Sequence, residues 1–116
     1  MSRIAKNSSV AADPSLIGRK DDDLKAQPAL IINDMPRALM AVAEIASFGA
    51  LKYSKSNWLH VENGVERYTN AMDRHRIKEG VETHDGDSGL MHAAHTAWNA
   101  LARLELMLRE QEEPKL

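Results

Sequence analysis

The residues best suited to chemistry lie in one stretch, residues 74–99, which contains four of the five histidines. His92 and His95 are three residues apart and can share one face of a helix. His75 and Glu79 are four residues apart, one turn of an earlier helix. Imidazoles and carboxylates gathered on two helix ends and the loop between them are the ligand types of a divalent metal.

Two more carboxylates lie between these pairs, in an acidic loop rich in glycine. We therefore predict a metal site in this stretch, with these candidate ligands: Glu79, Asp85, Asp87, His92 and His95. A histidine on the apolar face of a helix is more often a hydrogen-bonded core residue than a ligand. For His75 both interpretations stay open, because Glu79 and the acidic loop follow it.

Three long helices are expected to position these residues. Apolar residues recur at helical spacing in three segments, at about residues 35–53, at about residues 64–80 and in a third that ends near residue 110. Asp87 or Ser88 is expected to cap the third helix at its start. The chain is 43% hydrophobic but only 4% aromatic, so its core must be mainly aliphatic, which favours helices. We predict an all-α fold, a small helical bundle in a single domain of 116 residues.

The third predicted helix has two lines of residues, and each line is expected to pack against another helix. The first is an apolar line in which Leu101, Leu104 and Leu108 recur, and we expect it to form the inner face. The second line contains His92, His95, Asn99 and Leu106, and in a monomer it would be left uncovered. A single copy of a three-helix fold leaves one side exposed, so we expect a homodimer or a higher homo-oligomer to complete the bundle.

The domain organisation is expected to be simple. Residues 1–28 are polar and show no sustained apolar period, so we interpret them as a mobile or extended arm. Residues 29–110 form the helical domain, and residues 111–116 form a polar tail. Within the arm, the charged run at residues 18–25 has the composition of a solvated segment.

Composition and missing motifs remove several function classes. The net charge of −2 gives no overall attraction to nucleic acid or anionic membrane, and we expect neither as a partner. The absence of cysteine excludes disulfides, zinc thiolate sites and a thiol nucleophile. No apolar run could cross a bilayer and the start lacks a signal peptide's apolar core, so a cytoplasmic protein is expected. Walker, dinucleotide-binding, GxSxG, HExxH and EF-hand motifs do not occur.

A second candidate stretch, residues 52–58, combines cationic, amide and aromatic side chains in one loop. A nucleotide needs these three types for its phosphates, base edge and base face. Tyr53 and Trp58 could equally plug the end of a helical bundle, and both interpretations stay open.

Several short motifs between residues 18 and 106 match a known family. They are residues 18–22 with Lys25, residues 49–53 followed by Asn57 and Trp58, Tyr68 through His75, and residues 85–90 followed by His92, His95 and Asn99. With these motifs the chain resembles the small phage and prophage proteins described as dATP/dGTP diphosphohydrolases, in the family of their N-terminal domain. The resemblance covers most of the chain.

The resemblance implies a mostly helical enzyme, similar in activity to the MazG-like pyrophosphohydrolases. Such an enzyme would cleave a purine deoxynucleoside triphosphate to the monophosphate and pyrophosphate with Mg²⁺ or Mn²⁺, and a phage could use it to adjust the nucleotide pool. MazG-like proteins carry ExxE and ExxD on facing helices, whereas His92 and His95 stand on the matching helix here. The alternative is a non-enzymatic helical phage protein that binds a host protein or nucleic acid, with structural or zinc-binding histidines.

On this interpretation the candidate residues divide into two groups. The catalytic candidates are Glu79, Asp85, Asp87 and His75. The substrate-binding candidates are Lys20, Lys52 and Arg74 for phosphate, Tyr53 and Trp58 for the purine face, Asn57 for the purine edge, and Asn99.

Overall fold

The structure is a computed structural model that describes residues 16–112. Its elements are α1 (Ala29–Asp34), α2 (Pro36–Lys52), a 3-10 helix (Asn57–His60), α3 (Gly64–Glu79) and α4 (His92–Glu112). Apart from one isolated bridge between His84 and Met91, this part of the chain contains no strand. The prediction of an all-α fold with three long helices is confirmed. None of the helices described is long and apolar enough to cross a membrane.

Helix α2 begins within one residue of its predicted start because Pro36 stands at its first position, where a missing N–H is tolerated. Helix α1 was not predicted, because its six residues are too few for a periodic signal. Of the predicted arm, residues 16–28 are exposed and residues 1–15 lie outside the described part of the chain. The last four residues of the predicted tail, 113–116, lie outside it as well.

Helices α3 and α4 form an antiparallel pair that holds the candidate site at one end. At the other end Gly64 packs so closely on α4 that an added Cβ would lie 2.7 Å from Cδ1 of Leu106. In the middle, Arg103 Nε donates a hydrogen bond of 2.8 Å to Thr69 Oγ1. The loop over residues 80–91 then joins the two helices beside their histidines.

Helix α4 starts at His92, so the prediction that Asp87 or Ser88 caps it is wrong. The Asp85 carboxylate instead accepts hydrogen bonds from the backbone N–H groups of Asp87 (3.1 Å) and Ser88 (2.8 Å). Gly89 has a φ of +74°, a conformation that glycine adopts without strain, and its N–H donates to the Asp85 carbonyl at 2.8 Å. Asp85 thus closes a tight loop and gives this part of the chain a structure other than helix.

The inner face of α4 is the polar line and not the leucine line, which corrects the predicted inner face. The buried residues of α4 are His92, Ala94, His95, Asn99 and Ala102. Leu101, Leu104 and Leu108 remain 45–50% exposed. The polar line can face inward because its side chains find hydrogen-bond partners there, and no buried side-chain nitrogen or oxygen atom in the described residues lacks one.

Candidate metal centre and nucleotide groove

The centre of the candidate site is a contact between two imidazoles from facing helices. His75 Nδ1 on α3 lies 2.9 Å from His92 Nδ1 on α4. His92 is completely buried, whereas His75 is half-buried and stacks parallel on the ring of His95 with 4.3 Å between centroids. The packing of α3 against α4 therefore brings three histidine rings together.

His75, Asp85 and His92 form a group that could hold a metal ion, since one ligand atom from each lies within 4.8 Å of the other two. The donor set fits a divalent cation, which accepts imidazole nitrogen and carboxylate oxygen. The separation fits as well. Two ligands at right angles with bonds of about 2.1 Å lie about 3.0 Å apart, close to the 2.9 Å between the two Nδ1 atoms.

Burial and hydrogen bonds shift the pKa values of several groups in this cluster. Desolvation, and after it the neighbouring His95, lowers the pKa of His75 from 6.5 to about 4. Desolvation also lowers the pKa of His95. Burial opposes ionisation of Asp85, but hydrogen bonds from Ser88 outweigh it and hold the pKa of this carboxyl below its usual value. At neutral pH these shifts leave His75 and His95 as neutral imidazoles and Asp85 as a carboxylate, the protonation states that metal ligands need.

Two residues that the sequence analysis assigned no role in the site orient these histidines from outside. Glu82 Oε2 lies 2.9 Å from His92 Nε2. Ser88 Oγ lies 2.7 Å from His95 Nε2, and it also accepts the N–H of Leu90. Both residues belong to the loop, so no helical spacing relates them to the histidines. The only indication of their role in the sequence was that they are polar residues close to a cluster of histidines.

A groove of about 970 Å³ opens beside His75 and His95. Its walls come from α2, the 3-10 helix, α3, α4 and the acidic loop. Ten of the residues predicted for the site line it: Lys52, Tyr53, Asn57, Trp58, Arg74, His75, Asp85, Asp87, His95 and Asn99. The groove thus joins the candidate metal ligands to the candidate nucleotide-binding loop.

Three predicted site residues do not line the groove. His92 lies behind His75, completely buried. Glu79 is exposed at the last position of α3 and is not a member of the ligand group of His75, Asp85 and His92. Lys20 is exposed in the segment before α1.

At the groove, Lys52 Nζ lies 2.7 Å from Asp87 Oδ2 and connects the end of α2 to the acidic loop. The hydrogen bond to Asp87 raises the pKa of Lys52. The ammonium group also lies 5.5 Å from the ring centroid of Tyr53 and 5.8 Å from that of Phe48. A cation and two aromatic faces are therefore available together on this wall.

Another part of the groove lining is an aromatic cluster of Trp58, Tyr68 and Trp98, whose rings meet edge to face at centroid distances of 5.6–6.3 Å. The Tyr68 hydroxyl donates a hydrogen bond of 2.8 Å to the Trp58 carbonyl, and burial raises the pKa of Tyr68. Trp58 therefore packs within the bundle and lines the groove as well, so the structure is compatible with both interpretations of this residue.

Helix α3 presents three exposed polar side chains to the groove, Arg67, Asn70 and Arg74. Their spacing of three and four residues places them on one face. Within residues 16–112, no hydrogen bond or ion pair involves these side chains, in contrast to Lys52 and Asp87. Arg67 and Asn70 were missed by the sequence analysis because exposed polar residues on a helix are ordinary.

The fold and the site together define a class of protein. It is all-helical and has a cluster of histidines and a carboxylate beside a cationic groove. The chain belongs to the family described as dATP/dGTP diphosphohydrolase, N-terminal, whose model matches residues 16–115. It is 37% identical over 83 residues to a protein named dATP/dGTP diphosphohydrolase from Salmonella phage PMBT28. That match covers 71% of this chain but 27% of the relative, so the chain spans about a quarter of the relative's length. No solved structure matches the chain.

Proposed function

We propose that this chain carries the active site of a metal-dependent diphosphohydrolase that converts dATP or dGTP to the monophosphate and pyrophosphate. The observation that carries the proposal is the ligand group of His75, Asp85 and His92 beside a groove lined by cationic and aromatic side chains. The family and the phage relative's name support the substrate class. Such an enzyme would act in the host cytoplasm, where its nucleotides are, and would adjust the nucleotide pool during infection.

In this proposal His75, Asp85 and His92 hold Mg²⁺ or Mn²⁺. A divalent ion bound there would neutralise triphosphate charge and lower the pKa of a bound water. Asp87 and His95 line the groove beside this group and are available to accept the proton of the attacking water. Glu79 and Lys20, which do not line the groove, are given no role.

The groove walls would orient the nucleotide. Arg74 lines the groove together with His75. Its planar guanidinium is suited to hold a phosphate in two hydrogen bonds. Lys52 would contribute a second cation once phosphate displaces Asp87 from it. The purine would stack against Tyr53 or Trp58, with Asn57 at its edge.

The test is a panel of deoxynucleoside and nucleoside triphosphates incubated with the purified chain and Mg²⁺ or Mn²⁺, with products separated by ion-exchange chromatography. We expect monophosphate and pyrophosphate from dATP or dGTP. Arg74→Ala should raise KM, whereas Arg37→Ala, an exposed arginine that does not line the groove, should not. Absence of turnover with every purine nucleotide and both metals would reject the enzyme, and orthophosphate as first product would reject attack at the α-phosphorus.

We also propose that the active form is a homodimer in which two copies of α4 pack through Leu101, Leu104 and Leu108. Within residues 16–112 the buried apolar side chains are Ile45, Ala94 and Ala102, too few to stabilise a domain by themselves. The three leucines recur at the spacing of a helix–helix seam and are 45–50% exposed.

Light scattering after gel filtration tests the dimer. We expect a dimer mass for the wild type and a monomer mass for Leu104→Glu, because a carboxylate in the middle of the seam would be desolvated without a partner. Val81→Glu, at an exposed loop position 87% open to solvent, is the matched control and should stay dimeric. A monomer mass for the wild type at micromolar concentration would contradict the proposal.

A further inference from the structure

We propose that Glu82 is a positioning residue that fixes the tautomer of His92, so that His92 presents a bare Nδ1 to His75 and to a metal ion. The Glu82 carboxylate has no proton to donate and accepts hydrogen bonds only. His92 Nε2, which lies 2.9 Å from Glu82 Oε2, must therefore carry the hydrogen of this contact. A neutral imidazole has one N–H, so Nδ1 is left with its lone pair.

The contact is built by the backbone as well as by the two side chains. The N–H of Glu82 donates to the Lys78 carbonyl at 2.9 Å, which fixes the residue just past the end of α3. The N–H of His92 donates to the Thr83 carbonyl at 2.9 Å, which holds the start of α4 against the residue next to Glu82. Although the Glu82 side chain is 53% exposed, its carboxylate is therefore kept within reach of a ring that is completely buried.

The tautomer of His92 has a consequence for His75. Because His92 Nδ1 is bare and lies 2.9 Å from His75 Nδ1, the contact requires His75 to carry its hydrogen on Nδ1 when no metal is bound. If both Nδ1 atoms then bind an ion, the hydrogen of His75 has to move to Nε2, whereas that of His92 stays where Glu82 holds it. Metal binding thus changes the tautomer of one histidine and leaves the other unchanged.

The metal-bound half of this inference rests on the proposed function, and the metal-free half does not. Outer carboxylates that accept the second N–H of a ligating histidine orient the ring and raise its basicity, and their loss lowers metal affinity about 10- to 100-fold. Because the Glu82 carboxylate is partly exposed, we expect a loss of about 10-fold, at the lower end of that range.

The experiment is ¹⁵N NMR of the histidine rings at pH 8, first with chelator and then with Mg²⁺, and calorimetric titration with Mn²⁺. We expect His92 to be protonated on Nε2 in both NMR samples, and His75 to be protonated on Nδ1 without metal and on Nε2 with it. In Glu82→Ala, His92 should populate both tautomers and Mn²⁺ affinity should fall about 10-fold. Glu82→Gln keeps an acceptor oxygen and should retain the tautomer with a smaller loss of affinity. Glu79→Ala, an exposed carboxylate three residues earlier, is the matched control and should change neither reading.

Two outcomes would overturn the inference. The first is a wild-type His92 protonated on Nδ1 in the metal-free protein. The second is Mn²⁺ affinity in Glu82→Ala equal to that of the wild type. If the wild type binds no divalent ion while His92 is protonated on Nε2, the proposed metal function fails and the assignment of Glu82 to the His92 tautomer stands. The tautomer of His92 in the metal-free wild type decides the inference even if the Ala variant does not fold.

Discussion

Replacing His92 by alanine should destabilise the protein even when no metal is bound, because His92 supports the end of the α3 and α4 pair. Its side chain has no exposed surface, and it is the largest completely buried side chain in the described part of the molecule. It contacts His75 through Nδ1 and Glu82 through Nε2. A histidine that served only as a ligand at the surface would lack these contacts.

The expected magnitude follows from two terms. Removing a buried ring leaves a cavity, and large-to-small substitutions of this size lower the free energy of unfolding by about 2–5 kcal/mol. The half-buried His75 Nδ1 also loses its partner, which adds about 1–3 kcal/mol. Glu82 can be hydrated instead, since its side chain is 53% exposed, and adds little. The two terms together give an expected loss of about 3–8 kcal/mol, a large part of the stability of a small domain.

Urea unfolding followed by circular dichroism, at pH 8 with chelator, measures this loss. His60→Ala is the control, because it removes an exposed imidazole from the 3-10 helix and should change the midpoint little. A His92→Ala midpoint equal to that of the wild type, with an unchanged slope, would show that His92 does not contribute to the packing of the core.

Two further predictions concern neighbouring residues. The pKa of His75 is about 4 in the folded protein and 6.5 as its ordinary value, so the unfolded chain binds an additional proton between these pH values. The contribution of His75 to the free energy of unfolding should thus be at its full value above pH 6.5 and should fall as the pH drops toward 4. In thermal melts with chelator, His75→Asn should show a smaller fall of stability over this pH range. Tyr68→Phe removes the hydrogen bond to the Trp58 carbonyl and should lower the free energy of unfolding by about 1 kcal/mol in urea titrations.

The three long helices could be predicted from the sequence because each has a long periodic pattern, and Pro36 marked the first residue of α2. What periodicity could not decide was which line of α4 faces inward. Leucines are usually the buried residues of a helix, yet here His92, His95 and Asn99 are inside. Their burial depends on partners from the loop, such as Glu82 and Ser88.

The part of the site that lies on helices could be predicted from residue type and helical spacing. His75 and His92 lie on facing helices as the pattern required. Asp85 was singled out as a ligand candidate, but its loop conformation was not foreseen. Asp87 and Ser88 were predicted as possible helix caps, whereas the Asp85 carboxylate binds both of their amides and delays the start of α4 to His92. Local side-chain hydrogen bonds of this kind compete with helix formation and leave no periodic trace in a sequence.

A crystal grown with Mn²⁺ would show whether His75, Asp85 and His92 form a divalent metal centre. An anomalous difference map collected near the manganese absorption edge locates the ion without reference to activity. We predict a peak within bonding distance, about 2.0–2.3 Å, of His75 Nδ1, His92 Nδ1 and an Asp85 oxygen. A peak held by other residues would show that these three do not form the metal centre. So would two Nδ1 atoms still in contact, with no peak beside them, at saturating Mn²⁺.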